Sequence, residues 1–281
     1  MNTRTTTDST FPIVDWMSAP KVTAQLMKVW VGFIWLGQWM FAAYIFYQFA
    51  QPAVLGTIGA EHFSHMIKGH VENDTIGNGI LLGHVLPVLL LSATGIMQLI
   101  PAIRSRFPTF HRWNGRVFLT LGLLGALSGL YLTWGRGGRL SDIGALGVTL
   151  NGLLIPVAIA LAWHFALKRD FRAHRRWAVH AFILVNGVWA MRLLLMGWFM
   201  LNQGPNGNNS TMDGPMDMTL SFASYLLPMA IAELYFAIER TKKQVLRLFA
   251  NTALLITVLI TILGVSAASM MMWLPRITAA M

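Results

Sequence analysis

Seven runs of about 20 apolar residues, each long enough to cross a hydrocarbon core of about 30 Å, limit what this 281-residue chain can become. Inside a bilayer the peptide groups find no water, so each run must close its own hydrogen bonds as a helix. The runs lie at about 29–50, 77–100, 115–134, 145–167, 177–201, 218–238 and 248–273. Pro101 closes the second, and the Gly-, Pro- and Asn-rich stretch 202–217 reads as an exposed loop. Trp30, Trp134, Trp177, Trp198 and Trp273 fall near the predicted ends, at headgroup depth. The fold class expected is an all-α integral membrane protein, a bundle of about seven transmembrane helices.

Charge supports this and orients it. Only 11% of the residues are Asp, Glu, Lys or Arg, against roughly a quarter in soluble domains. A net charge of +10 would suit nucleic acid if the cations formed a patch, but they sit in short segments between apolar runs, so no nucleic-acid partner is expected. With the N-terminus inside, 16 of the 21 Lys and Arg residues face the inner side, from Arg4 through the 104–116 and 168–176 segments to Lys242 and Arg247. Four lie outside, and Arg192 falls within the fifth helix. That bias predicts N-terminus inside and C-terminus outside, in the cell inner (plasma) membrane, with the lipid bilayer as partner. The expected layout is a cytoplasmic segment 1–28, one transmembrane domain 29–273 and a short outer tail 274–281. The first 27 residues are polar and contain no short apolar core, so the first helix is expected to be retained. In the third helix, Gly125 and Gly129 form a G-x-x-x-G extended by Gly122, Ala126 and Ser128, a surface suited to close helix packing.

There is no cysteine, which excludes disulfides and thiolate metal sites and leaves the eight histidines as the main chemical signal. His84 lies about seven residues into the second helix from its outer end, whereas His111 precedes the third helix on the inner side. The 16 residues from His84 to the inner helix end span about 24 Å, too far for one metal ion to hold both. His111, His164, His174 and His180 gather near the inner face, and two of them on facing helices suit axial ligation of haem b. The same four equally suit helix capping, backbone bonding or a lipid phosphate shared with Arg. His84 is an intramembrane ionisable residue, and Pro87 leaves the Gly83 carbonyl beside it without a helical donor. That arrangement fits a ligand or proton site, or an ordinary interhelical hydrogen bond.

Arg192 and Glu233 are the other intramembrane ions. Their depths differ by about 14 Å, which argues against a direct pair, so each should face a cavity, a bound anion or another polar group. The outer segment EHFSHMIKGHVEND brings His62, His65 and His70 beside Glu61, Glu72 and Asp74, as a divalent-metal site or as a short interfacial helix. No nucleophile–base–acid arrangement stands out and the HExxH zinc motif is absent, so no catalytic residue is assigned.

At FHRWNGRVF (110–118) and HRRW (174–177) the chain resembles a family of predicted multi-pass bacterial membrane proteins of unknown function. The shared pattern is a His-bearing apolar helix (His84), HR-x-x-GR (His111, Arg112, Gly115, Arg116), a small-residue helix, then HRRW and an Arg-bearing helix (Arg192). It covers a family-like core at 79–201, and it implies fold and location without an activity. His180 stands where the family would carry Arg, which shifts any family-wide ligand role to His174. A weaker likeness is to two-haem transmembrane b-type cytochromes, where the third-with-fifth helix pair corresponds here to His111 with His174 or His180. Their second pair has no counterpart, because the fourth helix has no His at the depth of His84. The leading functional expectation is a membrane redox or haem-handling protein with quinone as electron partner. Its rival is a non-enzymatic small-solute transporter or assembly factor with Arg192, Glu233 and His84 lining a polar cavity.

Overall fold

A computed structural model describes residues 12–240 and 243–281, so Arg4 and Lys242 lie outside the described residues. Its regular structure there is entirely helical. Six helices are long and apolar enough to cross a membrane: α1 (Pro20–Leu55), α2 (Thr75–Leu99), α3 (Pro108–Gly135), α4 (Leu146–Leu167), α7 (Pro215–Ile238) and α8 (Gln244–Ala280). Two shorter helices, α5 (Phe171–Val185) and α6 (Gly187–Asn202), meet at 55° and together supply a seventh span. The expected bundle is therefore present, with its fifth member broken.

The break has a local cause. The Asn186 side chain donates to the Phe182 carbonyl at 2.8 Å, a bond that competes with continued helix, and its backbone leaves the helical region at φ −90°, ψ 6°. Gln38 of α1 donates to the Asn186 carboxamide oxygen at 2.8 Å and pins the joint from the other side.

The broken span occupies the middle of the bundle. α5 packs on α3, α4 and α7, while α6 packs on α7 and α8; α1 lies between α2 and α8. One buried cluster takes Phe41 and Phe49 of α1, Phe118 of α3, Phe182 of α5, Trp189 and Leu193 of α6, and Val265 and Trp273 of α8. A second takes Ala126, Ile155, Ile159, Leu184 and Tyr225. The first and last spans are thus part of the core as much as the family-like segment. On the outside, Leu90, Leu124, Leu153, Val157, Leu227 and Leu259 are exposed, and only 17% of the apolar window of α3 is covered by protein, so lipid must cover the rest.

Close approach comes from glycines other than the expected pair. At the α6–α8 crossing, a Cβ on Gly264 would stand 2.9 Å from the Leu193 carbonyl oxygen. Gly125 faces open space, whereas a Cβ on Gly129 would stand 3.3 Å from the His84 ring. Of the expected small-residue surface, Gly122 and Gly129 meet neighbours closely, a Cβ on Gly122 standing 2.7 Å from Val185, while Gly125 packs against nothing.

The spans differ in their irregularities. α1, α3 and α8 widen into π-helical turns at Phe46–Ala50, Tyr131–Gly135 and Ser269–Trp273. α2, α4 and α7 carry interior prolines instead, at Pro87, Pro156 and Pro228. We call the face where α1 begins proximal and the opposite face distal. The distal loops are fastened by Arg136, whose side chain is 3% exposed and donates to Asp74 at 2.8 Å, Asn78 at 2.6 Å and the Lys68 carbonyl at 3.2 Å. The Lys68 ammonium returns a bond to the Arg136 carbonyl.

Candidate functional site

Two polar groupings lie at different depths. In the distal half, Arg192 projects from α6 with one Nη1 bond to the Val188 carbonyl at 3.0 Å, and its guanidinium stands 5.8 Å from the centre of the Phe41 ring. One turn along α1, Tyr44 bonds His65 Nε2 at 2.7 Å, bringing a residue of the distal loop down onto the bundle. Arg276, in the last turns of α8, bonds the Met272 carbonyl at 2.9 Å. Among the described residues neither Arg192 nor Arg276 is paired with a carboxylate, although Arg136, Arg139, Arg175 and Arg176 all are. Both lie within electrostatic reach of Tyr44 and His65. Partial burial, and then the charges of Arg276 and Arg192, push the His65 imidazole down to about 4.

His84 belongs to the same half. Its Nδ1 lies 2.8 Å from the Ser128 hydroxyl, which itself donates to the Leu124 carbonyl at 2.7 Å. The Gly125 backbone is a further hydrogen-bond partner of the same ring, so His84 is tied to α3 by both a side chain and the main chain. Arg192 is within electrostatic reach of that ring. Depth counting weighed Arg192 only against Glu233; the structure brings it to His84, Tyr44, His65 and Arg276 instead.

The proximal histidines do not converge as a set of four. His180 is buried and its Nε2 lies 2.6 Å from Glu233, which also takes Arg176 at 2.7 Å. His180 Nδ1 has no partner, so in the neutral ring the proton sits on Nε2. Glu233 thus has two partners, His180 and Arg176, and Arg192 is neither of them. His164 is exposed at the end of α4, with its ring against Phe165. His174 bonds the Ala162 carbonyl through Nδ1 at 2.8 Å, and His111 lies within electrostatic reach of it.

His111 is held by Gln98, which sequence reasoning missed. With its amide turned to satisfy both ends, Gln98 donates to His111 Nδ1 at 3.1 Å and accepts from Asn114 at 2.7 Å and the Gly115 N–H at 3.3 Å. The HR-x-x-GR motif therefore wires the start of α3 to the 3₁₀ turn Gly95–Leu99. Nearby, Arg175 forms a two-pronged bond to Glu239 at 2.8 Å, which holds the Glu239 carboxyl below its usual range. Arg172, Arg175, Arg176 and Arg240 line an open groove of about 430 Å³ between α5 and α7.

Haem b can be tested against these contacts. A metal-ligating histidine commonly donates Nδ1–H to a backbone carbonyl and offers Nε2, and His174 has this geometry. His111, receiving the Gln98 amide on Nδ1, carries its proton on Nε2 and does not fit as the second ligand. In the distal loop, His62 Nδ1 accepts from the Gly59 N–H at 3.1 Å and His65 turns to Tyr44. No metal-holding group of three or more His, Asp or Glu side chains, with or without His70, is present among the described residues.

Comparison with family models finds one described as a predicted membrane protein (DUF2306), matching residues 81–236, from α2 to the end of α7. No curated protein and no solved structure matches the chain.

Proposed function

The chain belongs to the DUF2306 family of predicted membrane proteins, and from that premise we propose that it is a non-enzymatic transporter of a small polar solute. The carrying observation is Arg192, which stands at intramembrane depth on the second half of a broken span without a carboxylate partner among the described residues. Ionisable groups at that depth are costly, and those in transporters mark solute paths. Discontinuous helices line binding sites in many transporter folds. The His84 ring lies within electrostatic reach of Arg192, and the buried oxygens of Gln38 and Asn151 near the joint have no partner among the described residues. We place the protein in the inner (plasma) membrane with the proximal face cytoplasmic, on the distribution of its cations.

Because the chain has no cysteine, one introduced thiol is unique. Met191→Cys, in the cleft that Gly147, Asn151, Ser221 and Tyr225 form beside the joint, should react with a membrane-impermeant thiol reagent in both right-side-out and inside-out vesicles. Reaction from one side alone, or from neither, overturns the transport reading.

A second reading rests on His174. Its Nδ1 bond to Ala162 suits it to hold haem b as an axial ligand, with quinone as electron partner, and the haem would supply one-electron chemistry. Protein expressed with ample haem should then show a stoichiometric reduced haem b spectrum that His174→Ala abolishes and His62→Ala leaves intact. A purified protein without that spectrum excludes the redox reading.

A further inference from the structure

We propose that Arg192 and Arg276 together form a clamp for a phosphate group in the distal half of the bundle. This deepens the reading of Arg192 as the solute site and rests on it. Each guanidinium spends one N–H on the carbonyl one turn back in its own helix, Val188 at 3.0 Å and Met272 at 2.9 Å. Of the five donors a guanidinium carries, four remain on each.

The two helices converge around one aromatic wall. Phe41 lies 5.8 Å from the Arg192 guanidinium and 5.5 Å, ring to ring, from Trp273, one turn before Arg276. Tyr44 stacks beside Phe41 at 5.9 Å and presents its hydroxyl to His65. Rings exclude water and lower the local dielectric, so the repulsion between Arg192 and Arg276, which lie within electrostatic reach of each other, is stronger there than in solution. Arg136, buried among the distal loops, takes a carboxylate; Arg192 and Arg276 have none among the described residues and leave the compensating anion to be supplied from elsewhere.

The donor count selects the anion. A carboxylate has two oxygens and satisfies one planar fork, whereas a phosphate group has enough oxygens to meet two forks at once. The free ion presents four oxygens, enough for both forks; the phosphodiester of an anionic lipid has two non-bridging oxygens and would reach each guanidinium through one of them.

The test is thermal unfolding of the full chain in uncharged detergent, titrated with inorganic phosphate against chloride at equal ionic strength. A parallel series uses nanodiscs of phosphatidylcholine with or without phosphatidylglycerol. Ligand binding to the folded state raises the midpoint. A phosphate-dependent rise that Arg276→Gln and Arg192→Gln abolish establishes the clamp for free phosphate. A rise with phosphatidylglycerol alone, also abolished by Arg276→Gln, establishes it for a lipid headgroup. Arg276 lies in the terminal turns, so its variant carries the test if Arg192→Gln fails to fold. No rise with either probe, or equal rises in wild type and Arg276→Gln, overturns the clamp. Two-sided labelling of Met191→Cys in that case leaves the transport reading standing, and one-sided labelling with an intact phosphate response sinks transport alone.

Discussion

His180 Nε2 lies 2.6 Å from Glu233 Oε1, and this bond joins the proximal half of the broken span to α7. Removing Glu233 leaves the buried His180 ring without a partner, whereas removing His180 leaves Glu233 its bond to Arg176. A double-mutant cycle of His180→Ala and Glu233→Gln should give a coupling of about 1 kcal/mol, moderated because Glu233 is partly open to solvent. Chemical unfolding in detergent measures it, and additive single effects would mean that the contact contributes nothing.

Arg136 holds Asp74 in its charged form. The Arg136 side-chain bond, followed by the Gly77 N–H, lowers the Asp74 carboxyl below its ordinary value. A carboxyl lowered in the folded state adds stability that is present above its unfolded value of about 3.9 and is lost as pH falls through the folded one. Asp74→Asn should therefore have a lower melting midpoint than wild type near neutrality. The gap should close as both are taken below about pH 4.

His65 gives the acid limb a second component. Its folded value of about 4 lies under the ordinary 6.5, so the unfolded chain takes up a proton first and stability falls as pH drops from 6.5 towards 4. Above 6.5 the ring is neutral in both states and contributes no slope. Histidine-labelled NMR should show one imidazole titrating near 4, and the assignment is confirmed if His65→Gln removes that resonance.

Gly115→Ala tests the wiring of the HR-x-x-GR motif. Its Cβ would stand 3.1 Å from the Gln98 carboxamide, which must then shift from His111 and Asn114. A loss of about 1 kcal/mol is expected, with little further loss when Gln98→Ala is added.

Gly264→Ala tests the α6–α8 crossing. The added methyl would meet Leu193 Cβ at 2.8 Å and its carbonyl oxygen at 2.9 Å, so α6 must move away from α8. A loss of about 1–3 kcal/mol is expected. Gly125→Ala, which meets nothing, should be neutral.

The spans were legible because an apolar run of membrane length has one stable backbone state, and a helix or broken helix pair covers each of the seven predicted runs. α1, α3 and α8 nevertheless begin nine, seven and four residues earlier, and α8 runs on to Ala280. The break was less visible, since VNGV within an apolar run is a small perturbation of hydropathy; its one signal was the turn-prone Asn186–Gly187 pair. Histidine depth was also readable, and it separated His84 from the proximal group. Depth does not encode which way a side chain faces around its helix, so it could not assign His180 to Glu233 or Arg192 to Tyr44 and Arg276. Gln98 and Gln38 were passed over because a single amide in an apolar run announces no partner until the neighbouring helix is in place.

The irregularities of the spans fall into two mechanical classes. α1, α3 and α8 have no proline in their middle thirds and widen only towards the distal end, so they behave as struts. α2, α4 and α7 each lack a backbone donor at an interior proline, and the α5–α6 span is severed outright at Asn186. Since α4, the broken span and α7 are neighbours, their weak points form a crease crossing three adjacent members. Folding along that crease would tilt α4 and α7 against the struts, while Leu193 packed on Gly264 keeps the α6 half of the broken span, and Arg192 with it, beside α8.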